Sequence, residues 1–179
     1  MQHFKGHFLL LLEARTGNSI CQVLFSQHYT ERDRTSATML SNKEKDLIKE
    51  IWERLTPVAA EIGADALLRM FASYPGTKTY FSHLDISPNS SHLLSHGKKI
   101  VLAIAEGAQD ISQLTVTLAP LQTLHAYQLR VDPRNFKLLS HSMLVSLACY
   151  LGDEFTPVAH AAMDKYLSAF AAVLAEKYR

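Results

Sequence analysis

Apolar residues recur every three or four positions along most of the chain from residue 40 onward. The first such stripe contains Leu47, Ile51 and Leu55, and similar stripes follow it as far as Leu174. Apolar side chains at this spacing lie on one face of an α-helix. No segment alternates apolar and polar residues with a period of two, which is the pattern of a half-buried β-strand. The sequence therefore predicts an all-α fold of about seven helices.

Short polar motifs predict where several helices begin. Residues 41–44 form a capping box, in which a serine and a glutamate satisfy each other's backbone N–H groups. Thr117 is predicted to cap a shorter helix that carries His125. The Asp-Pro pair at 132–133 and the Thr-Pro pair at 156–157 each place a capping side chain before a proline suited to the first helical position.

Gly63 and Gly97 lie inside helical patterns, where a glycine costs about 1 kcal/mol relative to alanine. A close approach of two helix backbones is the simplest compensation for that cost. We therefore predict that the second and third long helices cross tightly at these glycines.

Residues 1–38 lack the helical periodicity. Their apolar run from Phe8 to Leu12 ends at Glu13. A signal peptide is the functional alternative for this run, but the run is short for that purpose and no small-residue cleavage site follows it. We divide the chain into an N-terminal extension over residues 1–38, interpreted as disordered or as sequence upstream of a true start, and one domain over residues 39–179.

Composition and charge exclude several classes of protein. The net charge is +1 and both signs are interspersed, so neither a nucleic-acid-binding surface nor an acidic tail is indicated. No apolar run approaches the roughly 20 residues that span a membrane. Cys21 and Cys149 form no CxxC pair and no disulfide framework, which is typical of a reducing compartment. We expect a cytoplasmic protein.

Nine histidines are present, and two pairs among them have a spacing of interest. His92 and His96 lie four residues apart on one helix, which suits zinc or copper, but the glutamate of an HExxH motif is missing and no third ligand is near in sequence. His96 and His125 lie on two different helices. Spacing alone does not show whether these two imidazoles face one another, and an ordinary half-buried histidine is the alternative for each.

The surroundings of His125 favour a ligand role. Leu121 and Leu129 lie one turn before and one turn after it, so its imidazole emerges from an apolar wall. A neutral imidazole in such a wall can bind a soft metal without burying charge. Haem iron takes one axial imidazole, and a gas carrier needs an open position on the other face. His96 suits a hydrogen-bond donor on that second face, beside Ile100.

Several motifs together resemble the α-type chain of vertebrate haemoglobin over residues 40–179: RMFASYPGTKTYFSHLD, SHGKKI, LHAYQLRVDPRNFKLLSH, DEFTPVAHAAMDKYL and the terminal EKYR. The resemblance implies the globin fold, with the helix of His96 over one face of a haem b and the helix of His125 under the other. It also implies that His125 is the proximal iron ligand and that His96 is the distal contact for oxygen.

The same resemblance implies further contacts. Residues expected to contact the haem are Tyr80, Phe81, His83, Lys99, Ile100, Leu121, Leu124, Leu129, Val131, Asn135, Phe136, Leu139 and Leu174. Residues expected at a tight contact with a β-type chain are Arg69, His141, Phe155, Pro157, His160 and Asp164. Residues expected at a second, sliding contact or at the chain end are Thr77, Lys78, Thr79, Tyr80, Asp132, Pro133, Asn135, Tyr178 and Arg179.

The chain departs from the family pattern at informative positions. Ile100 replaces the usual valine and adds a methyl group beside the ligand site. Gln122 replaces the usual serine near the proximal histidine and removes a hydroxyl that helps to orient the imidazole. Gly76 and Ser82 replace the usual threonine and proline around the sliding contact.

The leading hypothesis is reversible binding and transport of oxygen by ferrous haem, in an α-type subunit of a cooperative α2β2 tetramer of the red-cell cytoplasm. Carbon monoxide and nitric oxide are further expected ligands. A haem enzyme such as a peroxidase or a nitric-oxide dioxygenase is the alternative from another class, but no arginine lies beside His96 and no reductase domain follows. A haemless helical interaction protein would explain the stripes but not His96 and His125 together. We therefore expect a carrier and not an enzyme.

Overall fold

The computed structural model describes residues 40–178. Within that range the chain forms seven α-helices and no β-strand, which confirms the all-α prediction. The helices are α1 (Asn42–Leu55), α2 (Ala59–Ser73), α3 (Ser91–Gln109), α4 (Leu114–Thr117), α5 (Ala119–Thr123), α6 (Arg134–Leu151) and α7 (Pro157–Ala175). The predicted extension, Met39 and Arg179 lie outside the described residues.

Short helical turns join the longer elements. A π-helical turn, Leu124–Leu129, directly continues α5. The 3₁₀ turns are Thr56–Val58, Pro75–Phe81, Ile111–Gln113, Gly152–Glu154 and Glu176–Tyr178. None of the described helices is long and apolar enough to cross a membrane.

Two of the predicted helix starts are confirmed by their hydrogen bonds. The Ser41 hydroxyl accepts from the backbone N–H of Glu44, and the Glu44 side chain accepts from the backbone N–H of Ser41, which completes the capping box of α1. The Thr156 hydroxyl accepts from the N–H of Ala159, and Pro157 is the first residue of α7. These caps act within one turn, which is why the sequence predicts them well.

Two other predicted starts need correction. Thr117 ends α4 and does not cap the next helix, whose first residue is Ala119 and whose start has no side-chain cap. Helix α6 begins at Arg134, one residue after the predicted proline. The Asp132 carboxylate still accepts from the backbone N–H of Arg134 at 2.9 Å, so the aspartate binds the first turn although Pro133 stands outside it.

Helices α2 and α3 cross with their backbones in direct contact, as predicted. A Cβ atom added to Gly63 would lie 2.1 Å from the carbonyl oxygen of Gly97. No side chain fits at that distance, so the two glycines are required by the crossing. Gly97 directly follows His96 in α3. The crossing therefore fixes the position of His96 relative to α2.

The core lies between the long helices. Trp52 of α1, Met143 and Leu147 of α6, and Tyr166 of α7 are fully buried. The Tyr166 hydroxyl donates to the carbonyl oxygen of Ile104 at 2.5 Å, and so links α7 to α3. Burial raises the pKa of Tyr166, because the phenolate would lose its solvation there.

The expectation that the cysteines form no disulfide is contradicted at one of them. Cys149, on α6, is disulfide-bonded. Cys21 lies outside the described residues. A sequence with only two cysteines shows no framework pattern, and this is why the spacing gave no indication of a bond.

Candidate functional site

His125 lies in the π-helical turn that continues α5, and its side chain is half-buried. Its Nδ1 atom lies 2.7 Å from the carbonyl oxygen of Leu121. A carbonyl oxygen only accepts, so Nδ1 carries the proton and donates to it. This arrangement leaves Nε2 with a free lone pair, the form in which an imidazole binds a metal, and fixes the plane of the ring.

His96 lies on α3 and is also half-buried. Burial is the main cause that lowers its pKa, and the charges of Lys99, His125 and His83 lower the pKa further. His96 is therefore neutral near pH 7. His125 is one of the charged groups that lower the pKa of His96, so the two imidazoles lie within electrostatic range of one another.

Aromatic rings flank both histidines. Phe81 meets His96 edge to face with ring centroids 5.2 Å apart. Phe136 meets His125 in the same manner at 5.4 Å. Each ring restricts the rotation of the imidazole that it touches.

Aliphatic residues complete the walls of the site. Ile100, one turn after His96, packs against both hydrophobic clusters of the molecule, and Leu139 does the same. Leu121 and Val131 pack against the larger cluster. These four side chains are only partly covered by the protein, so they leave apolar surface for a large flat ligand.

The remaining predicted pocket residues form two groups. Leu174 is buried in the core, Leu124 is half-buried, and Leu129 is about half exposed at the edge. At the rim, the Tyr80 hydroxyl accepts from the backbone N–H of Asp132 at 3.2 Å, and the Asn135 side chain donates to the Asp132 carbonyl oxygen at 3.1 Å. The predicted propionate partners His83 and Lys99 are exposed.

The donor set fits a haem. One half-buried imidazole has a free Nε2 atom, a second neutral imidazole lies within electrostatic range of it, and partly buried aliphatic side chains lie near both in the chain. The alternative zinc pair has no such support. His92 is exposed, and its Nδ1 accepts from the backbone N–H of Asp85 at 3.4 Å. Among residues 40–178, no cluster of three His, Cys, Asp or Glu residues has metal-binding geometry.

A groove lies between α2 and α6. It is lined by Arg69, Ala72, Ser73, His141, Ser142 and Val145. The Arg69 Nε donates to Asp65 at 2.7 Å, and the Ser146 hydroxyl donates to the same carboxylate oxygen at 2.7 Å. Two residues of the predicted tight contact, Arg69 and His141, are therefore brought together here.

Other predicted contact residues are differently placed. Pro157 is exposed, His160 and Asp164 are half-buried, and Phe155 packs inside the core with 3% exposure. Thr77 is 4% exposed, and its hydroxyl donates to the Tyr74 carbonyl oxygen. Phe155 and Thr77 therefore contribute almost no exposed surface of their own.

Around the predicted sliding contact, Lys78 and Thr79 are exposed and Pro133 is half-buried. Both carboxylate oxygens of Asp132 accept from the Arg134 guanidinium, with the shortest distance 2.7 Å. Tyr178 is half-buried, and its ring packs on Phe136.

Sequence reasoning missed the bonds of Gln122. Its position beside the proximal turn is visible in the sequence, but the partners of its side chain lie about fifty residues later in α7 and beyond. A buried glutamine needs hydrogen-bond partners for its side-chain amide. That requirement is the feature from which such bonds could have been predicted.

Comparison with known proteins agrees with this geometry. The globin family model matches residues 64–174. The chain is 52% identical to hemoglobin subunit alpha-D of Chrysemys picta bellii, 51% to that of Meleagris gallopavo and 50% to that of Phasianus colchicus colchicus. Each match extends over 141 residues, which is 79% of this chain and all of the relative. The helical fold and these matches lead to one conclusion: the relatives that the chain matches are oxygen carriers and not enzymes, and the chain belongs to the globin family, as an α-type globin with an N-terminal extension.

Proposed function

We propose that the chain binds haem b through His125 and carries oxygen reversibly, as the α-type subunit of a cooperative tetramer with β-type chains. Membership of the globin family implies haem binding, and the relatives named above are haemoglobin subunits. The observation that carries the proposal is the Nδ1 hydrogen bond of His125 to Leu121, which leaves Nε2 free for iron beside a second, neutral imidazole.

A bound ferrous haem would supply the reversible oxygen chemistry. His125 would hold it through Nε2, because the Leu121 carbonyl keeps the proton on Nδ1. His96 is neutral because its pKa is lowered, and it therefore donates a single N–H to a gas molecule in the pocket. Carbon monoxide and nitric oxide would occupy the same position.

The walls have a chemical role in this proposal. Ile100, Leu121, Val131 and Leu139 exclude water, which would promote oxidation of the ferrous form. Phe81 would stack on the porphyrin, and His83 and Lys99, which are exposed, would pair with its propionates. The other proposed haem contacts are Tyr80, Leu124, Leu129, Asn135, Phe136 and Leu174.

The assembly is proposed on the same basis. Arg69 and His141 at the groove, with Phe155, Pro157, His160 and Asp164, would form a tight contact with a β-type chain. Thr77, Lys78, Thr79, Asp132, Pro133, Tyr178 and Arg179 would form the contact that repacks when oxygen binds. Residues 39–179 would make up the globin domain, and its place would be the red-cell cytoplasm.

Reconstitution with haem tests the proposal directly. The visible spectrum of the full chain is recorded under nitrogen, oxygen and carbon monoxide, and we expect reversible deoxy, oxy and carbonmonoxy spectra. His125→Gly should lose firm iron ligation and regain it when imidazole is added. His92→Gly is the matched control, since it removes an exposed histidine and should leave all three spectra unchanged. A wild-type protein without reversible oxygen spectra would refute the proposal.

A second measurement tests the partner. Mixing the reconstituted chain with a β-type globin should give a species of tetramer size and a sigmoidal oxygen curve. Arg69→Ala should weaken this assembly, whereas Glu50→Ala on the exposed face of α1 should not. Assembly that is unaffected by Arg69→Ala would remove the groove from the proposed contact.

A further inference from the structure

Gln122 is a buried polar side chain on α5, three residues before His125. Its residue exposure is 3%. The Nε2 atom donates to the carbonyl oxygen of Val173 at 2.7 Å and to a carboxylate oxygen of Glu176 at 3.2 Å. Gln122 therefore connects α5 to the C-terminal end of α7.

A neighbouring bond reinforces this connection. The Lys177 ammonium donates to the Thr123 hydroxyl at 2.6 Å. Consecutive residues of α5 are thus bonded to the last turn of α7 and to the 3₁₀ turn that follows it. The Val173 carbonyl oxygen, at the C-terminal end of α7, also accepts from the backbone N–H of Glu176, so the Gln122 amide is a second donor to it.

The connection between α5 and α7 affects His125 through the peptide unit that joins Leu121 to Gln122. The carbonyl oxygen that faces His125 Nδ1 belongs to Leu121, and the next atom along the chain is the backbone nitrogen of Gln122. That N–H donates to the Leu118 carbonyl oxygen at 2.8 Å. Because a peptide unit is planar and rigid, a displacement of the Gln122 backbone also displaces the Leu121 carbonyl.

We propose that Gln122 is a positioning residue for His125: its amide bonds α5 to the end of α7, holds the Leu121 carbonyl in place, and thereby sets the orientation of the imidazole. This inference rests on the proposed function of His125 as iron ligand. A serine, the usual residue in the resemblance described above, has a much shorter side chain that does not span this distance. In this chain the bonds from Gln122 to α7 orient the His125 imidazole, in place of a nearby hydroxyl.

Gln122→Met tests the inference, because methionine has a similar length and volume but no amide. Amide hydrogen exchange on the haem-free full chain reports the mobility of residues 118–129 without any haem chemistry. Loss of one net hydrogen bond should raise exchange there roughly two- to tenfold. In the reconstituted ferrous protein without gas, the iron–imidazole stretching band should shift and broaden, because the ring orientation is less restricted.

Two further variants separate positioning from general stability. Thr156→Ala removes the cap at the opposite end of α7, so it lowers overall stability without contacting α5. It should leave the iron–imidazole band at the wild-type frequency. Lys177→Met removes the neighbouring bond to Thr123 and should change exchange and band in the same direction as Gln122→Met, by a smaller amount.

The possible results each decide the question. Unchanged exchange and an unchanged band in Gln122→Met, or changes equal to those of Thr156→Ala, would overturn the inference while leaving the proposed function intact. Should Gln122→Met not fold, Lys177→Met decides by the same two measurements. Absence of an iron–imidazole band in the wild-type protein would overturn the proposed function, and the inference with it.

Discussion

Gly97→Ala tests the crossing of α2 and α3, on which the position of His96 relative to α2 depends. The added Cβ atom would lie 2.4 Å from the backbone nitrogen of Ala64 and 2.5 Å from the carbonyl carbon of Gly63. These are backbone atoms, so no side-chain rotation relieves the contact. Since non-bonded carbon contacts are normally about 3.5 Å, α2 and α3 have to separate by about 1 Å.

The expected loss of stability follows from two opposing effects. Overpacking against rigid atoms costs about 3 kcal/mol, at the upper end of the usual range. Replacing a helical glycine by alanine returns about 1 kcal/mol. The net decrease in the free energy of unfolding is then about 2 kcal/mol, which lowers the midpoint of thermal unfolding by roughly 6 °C in a domain of this size.

Thermal and denaturant unfolding of the haem-free chain, followed by far-ultraviolet circular dichroism, measures this loss. Gly76→Ala is the matched control, because no atom lies within 4 Å of its added Cβ atom. The control should be neutral or slightly stabilising, since alanine restricts the unfolded chain. After reconstitution, Gly97→Ala should also alter the rate of carbon monoxide binding, because His96 moves with α3.

A Gly97→Ala protein as stable as the wild type would refute this reasoning. It would mean that the helices separate at no cost, and that the glycines are not required by the crossing. A loss of the same size in Gly76→Ala would show that the effect comes from glycine replacement in general.

Three further predictions concern single side chains. Bonds to Lys165 and to the α1 cap lower the pKa of Glu44 to about 2. Glu44→Gln should therefore cost about 1 kcal/mol near pH 7 in urea unfolding, and the difference should shrink as pH falls from 4.5 towards 2, where the wild-type carboxylate also becomes protonated. Tyr166→Phe should cost about 1 to 2 kcal/mol in the same assay, because the buried carbonyl of Ile104 loses its donor; an unchanged stability would contradict that role. Ile100→Val should increase the rate of carbon monoxide binding in flash photolysis, because it removes a methyl group beside the ligand site. An unchanged or slower rate would show that Ile100 does not border that site.

Local features of the fold were predictable from the sequence. The capping box at Ser41 and Glu44 and the Thr156 cap act between residues three positions apart, so the amino acids themselves specify them. The failure at Thr117 is also instructive. A threonine before an apolar run is compatible with a cap, but Thr117 completes the short helix α4 instead, because packing of that segment overrides a weak local preference.

The candidate site was predictable only in part. The apolar neighbours of His125 favoured a ligand role, and the resemblance named its partner, yet periodicity did not show that His96 faces the same site. Whether two imidazoles on different helices meet depends on the crossing of those helices. That crossing depends in turn on contacts such as Gly63 with Gly97, between residues far apart in the chain.

By itself the sequence determined the helices, two of their starts and the two glycines that permit a close crossing, because these follow from spacing and from hydrogen bonds within a single turn. Only the tertiary structure decided that His96 lies within electrostatic range of His125 and that Nδ1 of His125 donates to Leu121. It also decided that Gln122 reaches α7. The physical reason is the same in each case: side-chain partners that are distant in sequence are selected by the packing of whole helices, which no short stretch of residues encodes alone.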